Sequence, residues 1–101
     1  MSTSLYVLVD SHEPSRVRYV GISIAPLSRM KMHCEAPSIS TLVGEWILGL
    51  KWRERRLPEM RVVGEFANRE EAKAAERRLI ASLQEQGQAD LNMLLVSKEV
   101  G

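Results

Sequence analysis

The stretch DSHEPS, residues 10–15, reads as a turn by composition. Its Asp, Ser and Pro side chains favour turns. It lies between two β-rich runs, LYVLV at 5–9 and RVRYVGI at 16–22. Two strands joined by so short a turn-prone connection are expected to pair as an antiparallel hairpin. The first run alternates poorly, as a central strand covered on both faces does. The hairpin would place Tyr6 and Tyr19 on neighbouring strands.

The chain continues with helical periodicity. Gly21 breaks the second strand, and Pro26 then falls in the first turn of a helix over 25–33, with Ser23 as its cap. Leu27 and Met30 are expected to pack inward from it. Arg29 and His33, four apart, point the same way. Ser38 or Ser40 caps a second helix running to about Lys51, on which Val43, Trp46, Ile47 and Leu50 form an apolar stripe. Trp46 reads as core and Trp52 as more open, and Leu57-Pro58 ends the segment. RVVGEF, 61–66, is a third strand. Asn68 caps a long helix, with Glu71 placed to complete a capping box. Ala72, Ala75, Leu79 and Leu83 line its inner face, and Gly87 is its stop. The tail, 91–96, is expected to lie back on the core. The order predicts one α+β domain: a small central three-stranded antiparallel sheet of strands 4–10, 16–22 and 61–66, flanked by helices.

Composition limits the function classes. With 101 residues, 45% apolar and 27% charged, the chain reads as a single globular domain and not as a disordered one. No apolar run approaches a membrane span, and MSTSLYVLVD lacks the basic region of a signal peptide. The single cysteine, Cys34, leaves a reducing, cytoplasmic compartment as the expectation. Net charge is +1, but it is uneven. Residues 1–63 hold nine Lys or Arg against six acids, hence +3, and 64–101 hold five against seven, hence −2. The basic excess is densest in KWRERRLPEMR, 51–61, where Lys51, Arg53, Arg55 and Arg56 read either as a solvated helix end or as contacts for backbone phosphates.

A phenol, a guanidinium and an imidazole, from Tyr19, Arg29 and His33, could converge on one cleft, and an anionic phosphodiester would suit them. Each alone has a structural reading: the tyrosines as strand aromatics, His33 and Arg29 as surface residues. Glu76, at the edge of the long helix's apolar stripe, reads either as an ion-pair partner of Lys73, Arg77 or Arg78, or as the single carboxylate of a hard-cation site completed by phosphate oxygens and waters.

Together these residues form a more specific pattern. Ser4-Leu5-Tyr6, then Tyr19-Val20-Gly21 within YVGxSxxPLxRxxxH, then Trp46-Ile47, Leu57-Pro58, Glu76-x-x-x-Ile80 and Asn92, resembles the GIY-YIG nuclease domain over residues 4–93. The first block departs from it, with Ser4 and Leu5 in place of the glycine and isoleucine. Val20 replaces the isoleucine of the second block. The resemblance implies hydrolysis of DNA phosphodiesters, RNA remaining open, with one Mg²⁺ or Mn²⁺ held by Glu76. It implies that Arg29 holds the scissile phosphate, Tyr19 orients or deprotonates water, Tyr6 supports that network, His33 handles a proton and Asn92 braces the site. Arginine and metal nearby are expected to lower the tyrosine pKa. Whether a tyrosine or His33 takes the proton is open. Specificity would come from a separate protein or a dimer partner. A non-catalytic nucleic-acid-binding module and a protein-interaction domain are the alternative functions.

Overall fold

A computed structural model describes residues 2–92. Its sheet has three antiparallel strands in the order β2-β1-β3, formed by β1 (Thr3–Asp10), β2 (Glu13–Ser23) and β3 (Glu59–Phe66). All eight residues of β1 are buried, which accounts for its weak alternation: both faces are covered. On one face Leu5 and Val7 pack with Val20, Ile80 and Ala89. On the other Tyr6 and Leu8 pack with Val43 and Ile47. The long helix α3 (Arg69–Glu85) covers the first face through Ala75, Leu79, Ile80 and Leu83. The second face is covered by α2 (Leu42–Gly49), with α1 (Pro26–Glu35) contributing Met30.

The hairpin turn is tighter than DSHEPS implied. Asp10 pairs with Glu13, so only Ser11 and His12 turn. Asp10 supports them by accepting the His12 N–H at 2.9 Å. Pro14 is tolerated inside β2 because that strand lies at the sheet's edge. Leu8 pairs with Tyr19 and Val9 with Val17, which leaves Arg18 as an extra, bulged residue. The bulge reverses the facing that strict alternation would give. Val17 therefore packs on the α3 side with Val20 and Ile22, while Tyr19 faces the opposite side.

Gly21 does not break β2. The strand continues to Ser23, with Gly21 directly opposite Tyr6. A Cβ on Gly21 would lie 2.5 Å from both Cζ and Oη of Tyr6. The missing side chain is the space into which the Tyr6 ring folds.

Several helix ends also differ from expectation. Ser23 accepts the Ala25 N–H at 3.0 Å, but Ala25 is the N-cap of α1 and offers no side-chain cap. Leu27 is 85% exposed and does not pack inward. No residue of α1 is buried, and its first turn stands clear of the sheet. The cap of α2 is Thr41, not Ser38 or Ser40: its hydroxyl accepts the Gly44 N–H at 3.0 Å. α2 passes at Leu50 into one π-helical turn, Leu50–Glu54, closed by Arg55 at φ 57°. Val43, Ile47 and Leu50 are buried as the stripe predicts, and Trp46 is half-buried beside them. Trp52 is 66% exposed.

Asn68 caps α3 by accepting the Glu71 N–H at 2.9 Å. At the other end Gly87, with φ 76°, lets its own N–H reach Gln84 O and that of Gln88 reach Leu83 O, the 5→2 and 6→1 bonds of a Schellman stop. Residues 88–92 then run along the outer edge of β2. Ala89 N donates to Val17 O and Leu91 N to Arg18 O. The return of Leu91 and Asn92 to the core matches expectation, and Met93, Leu94, Leu95 and Val96 lie outside the described residues.

Gly21→Ala should destabilise the fold by about 1–3 kcal/mol, the usual range for forcing atoms into a filled space. Urea unfolding tests this. In a Tyr6→Ala background the same substitution should cost far less, because the clashing ring is gone; an equal cost in both backgrounds would contradict the contact.

Candidate active site

Two strands, two helices and the strand-edge segment 88–92 place the polar residues. Tyr6, on β1, is 1% exposed and points away from α3. Its hydroxyl lies 3.0 Å from Nε2 of His33, near the end of α1. Tyr19, on β2, stands against both, with ring centroids 6.5 Å from Tyr6 and 5.9 Å from His33. The three rings meet edge-on or tilted, as aromatic quadrupoles prefer. Tyr19, Arg29, His33, Thr41 and Gly44 line a cavity of about 210 Å³. A larger hollow, about 500 Å³, lies between Ile39, Glu45, Leu48, Gly49 and Arg53, and has neither phenol nor imidazole on its wall.

Burial dominates the electrostatics. It is the first cause pushing Tyr6 up to about 12, with Tyr19 adding to the rise and Arg29 opposing it as a nearby donor and positive charge. Tyr19 is raised as well, by burial and then by the Glu76 carboxylate, again against Arg29. The expected lowering of the tyrosine pKa is therefore not found: in the protein alone desolvation outweighs the guanidinium, and both phenols keep their protons at neutral pH. His33 moves down, through burial and then the charge of Arg29, so its imidazole is neutral at pH 7. Two tautomers fit the Tyr6 contact. With Nε2–H donating to the phenol oxygen, Nδ1 keeps a lone pair for another proton; with Nδ1–H, Nε2 accepts from the phenol.

Glu76, on α3, is half-buried, and its carboxyl is raised by that burial against the opposing charges of Lys73, Arg69 and Arg77. Its charge adds to the upward shift of both phenols, as a lesser cause than burial. It lines a second cavity, about 290 Å³, with Lys73 and Arg77. The ion pair expected for it as a surface residue does not form: among the described residues no Lys or Arg comes within 4.0 Å of its carboxylate. Also among the described residues, no three His, Cys, Asp or Glu side chains group as a ready-made metal cage. A desolvated carboxylate without an ion pair fits one hard cation whose remaining ligands are substrate oxygens and water. Asn92 accepts the Val20 N–H at 2.8 Å and donates to Val20 O at 2.9 Å, so it fixes the backbone beside Tyr19.

The 51–61 run is more occupied than its sequence implies. Arg56 grips Asp10 with two bonds, 2.9 and 2.7 Å, and reaches Glu54 at 2.9 Å. That fork and the His12 N–H hold the Asp10 carboxyl down at about 2. Lys51 donates to the Cys34 carbonyl at 3.0 Å. Arg53 folds over Gly49, with its NH2 nitrogen 3.3 Å from where a Cβ would lie, and Arg55 is exposed.

Two residues of structural weight were not read from the sequence as such. Gly21 makes the Tyr6 pocket, and only the register, which sets it opposite Tyr6, reveals this. Arg18, turned outward by the bulge, binds Asp90 at 2.9 and 3.1 Å and lies 5.2 Å from the Trp46 ring centroid, joining segment 88–92 to α2. Ser4 is buried and donates to Glu65 at 3.2 Å, so its hydroxyl is not left orphaned. No helix among the described residues is long and apolar enough to cross a membrane. No family model, curated protein or solved structure matches the chain.

The shifts predict pH behaviour at both ends. A raised tyrosine stabilises the fold fully below the unfolded value near 10, and this is lost as pH rises through about 12 for Tyr6. A depressed histidine acts in the other sense: its contribution is full above about 6.5 and is lost as pH falls from there through the lower value His33 has in the folded protein. Ultraviolet titration should find neither tyrosine ionising at 10 while the protein is folded. Proton NMR should find His33 titrating below 6.5; a phenol titrating at its ordinary value would contradict the burial argument.

Proposed function

We propose that this chain is a GIY-YIG-type, metal-dependent endonuclease that hydrolyses DNA phosphodiester bonds. The observation carrying the reading is the Tyr6–His33 contact of 3.0 Å with Tyr19 packed on both rings and Arg29 on the same cavity. Packing alone does not call for a phenol, an imidazole and a guanidinium around one open space. The sheet order β2-β1-β3 with helices on both faces also agrees with the resemblance.

In this reading the Arg29 guanidinium binds the scissile phosphate, and its charge counts most as the non-bridging oxygens gain charge in the transition state. Water attacks phosphorus, the bond to the leaving oxygen breaks, and the water's proton passes to Nδ1 of neutral His33. Tyr6 holds the ring for that transfer through its contact with Nε2. Tyr19 orients the water from the cavity wall. Asn92 supports Tyr19 through the Val20 backbone. Glu76 would hold Mg²⁺ or Mn²⁺, which when bound supplies charge neutralisation at the phosphate and a more acidic water.

The test is cleavage of a labelled panel of duplex, nicked and branched DNA with Mg²⁺ or Mn²⁺. Glu76→Ala and Glu76→Gln should abolish cleavage at every metal concentration, because among the described residues no cluster of metal-ligating side chains stands ready to replace it and the amide lacks the charge a hard cation needs. Arg29→Ala should slow single-turnover cleavage by a factor of about 10²–10³. Arg29→Lys should recover only part, since a point charge cannot copy a planar fork on phosphate oxygens. Near-wild-type turnover by folded Glu76→Ala would overturn the reading.

A further inference from the structure

We infer that the outer face of α3, through Arg69, Lys73 and Arg77, is the track along which the DNA backbone lies. The choice of DNA as partner rests on the nuclease reading; the placement rests on the helix. The three residues are spaced i, i+4, i+8, so they form one row on α3. All three are exposed. Each pair of neighbours puts like charges at i,i+4, an arrangement that destabilises a helix. Arg69 is in addition the first residue of α3, where a cation opposes the helix dipole. An acid stood ready to neutralise the row, since Glu70 lies three residues before Lys73. Yet among the described residues none of the three cations makes an ion pair.

The row also adjoins the chemistry. Lys73 and Arg77 form a cavity wall with Glu76, and the charges of Lys73, Arg69 and Arg77 all reach its carboxylate. By contrast Lys51 and Arg56 in the 51–61 run are already held by Cys34, Asp10 and Glu54. Eight residues of helix span about 12 Å. At about 3.4 Å of axial rise per nucleotide in one strand, the row would follow about three to four phosphates leading to Glu76.

The experiment is fluorescence anisotropy with a labelled 20-base-pair duplex in EDTA, so that no cleavage or metal binding contributes, across a salt series. The triple variant Arg69→Gln, Lys73→Gln, Arg77→Gln should lower the slope of log affinity against log salt by about 2–3, near 0.9 per lost phosphate contact. Its melting temperature should not fall, because the like-charge row is relieved. A matched variant removing three charges elsewhere, Arg53→Gln, Arg55→Gln, Arg61→Gln, should change the slope by less than one. Lys73→Gln alone, expected to lower it by about one, remains readable should the triple variant not fold. An unchanged slope in the α3 variants, an equal fall in the matched variant, or no salt-dependent binding by the wild type would each overturn the inference. The outcome separates from the nuclease reading. A lost slope with a wild type that never cleaves keeps the track and removes the enzyme; active cleavage with an unchanged slope does the reverse.

Discussion

The Tyr6 ring lies where a side chain on Gly21 would be, and the rest of the site depends on that exchange of space. β1 is the central strand, so Tyr6 cannot swing to solvent; it is buried by α2 on its face and by both neighbouring strands. Any Cβ at position 21 would push the ring off the line that brings its hydroxyl to His33. Because cores are packed without slack, such a displacement is passed on to neighbouring groups and not absorbed. One missing methyl group thus couples sheet register to the position of an imidazole on a helix that is itself nowhere fully buried.

That coupling explains how a weakly anchored helix can carry precise groups. α1 has no side-chain cap and leaves Leu27 in solvent. It is tied to the sheet through Met30 and the His33 contact, and to the π turn through Lys51 on the Cys34 carbonyl. Burial around this junction favours neutral forms: protonated phenols and an unprotonated imidazole. The cluster is therefore suited to accept a proton at His33 and not at a tyrosine. The second anchor is the segment 88–92, zipped to β2 by Asn92, by Asp90 on Arg18 and by two backbone bonds. It covers the edge of β2 that would otherwise expose unpaired backbone groups.

The strands, the three helices and the central place of β1 could be read from the sequence because β-rich runs, capping residues and apolar stripes act locally. Asn68 and Gly87 work as helix signals for that reason. The failures share a different cause. Gly21 looks like a breaker until pairing sets it against Tyr6. Arg18 cannot be recognised as a bulge without the register of both strands. Ser38 and Ser40 are as good caps by composition as Thr41, and tertiary placement chooses between them. The tyrosine shifts turned on burial, which proximity in sequence does not report. The grouping of Tyr19, Arg29 and His33 was legible from spacing, whereas the occupation of Lys51 and Arg56 was not, since their partners lie 17 and 46 residues away.

The central claim is that a phosphodiester enters the cavity walled by Tyr19, Arg29 and His33. NMR of side-chain signals during titration with a short phosphorothioate-linked duplex in Ca²⁺ tests it most directly. The account predicts that the Arg29 Nε–H, the His33 ring and the Tyr19 ring shift together along one saturation curve. Silence at those three groups, with shifts confined to the hollow around Ile39, Glu45 and Arg53, would contradict it.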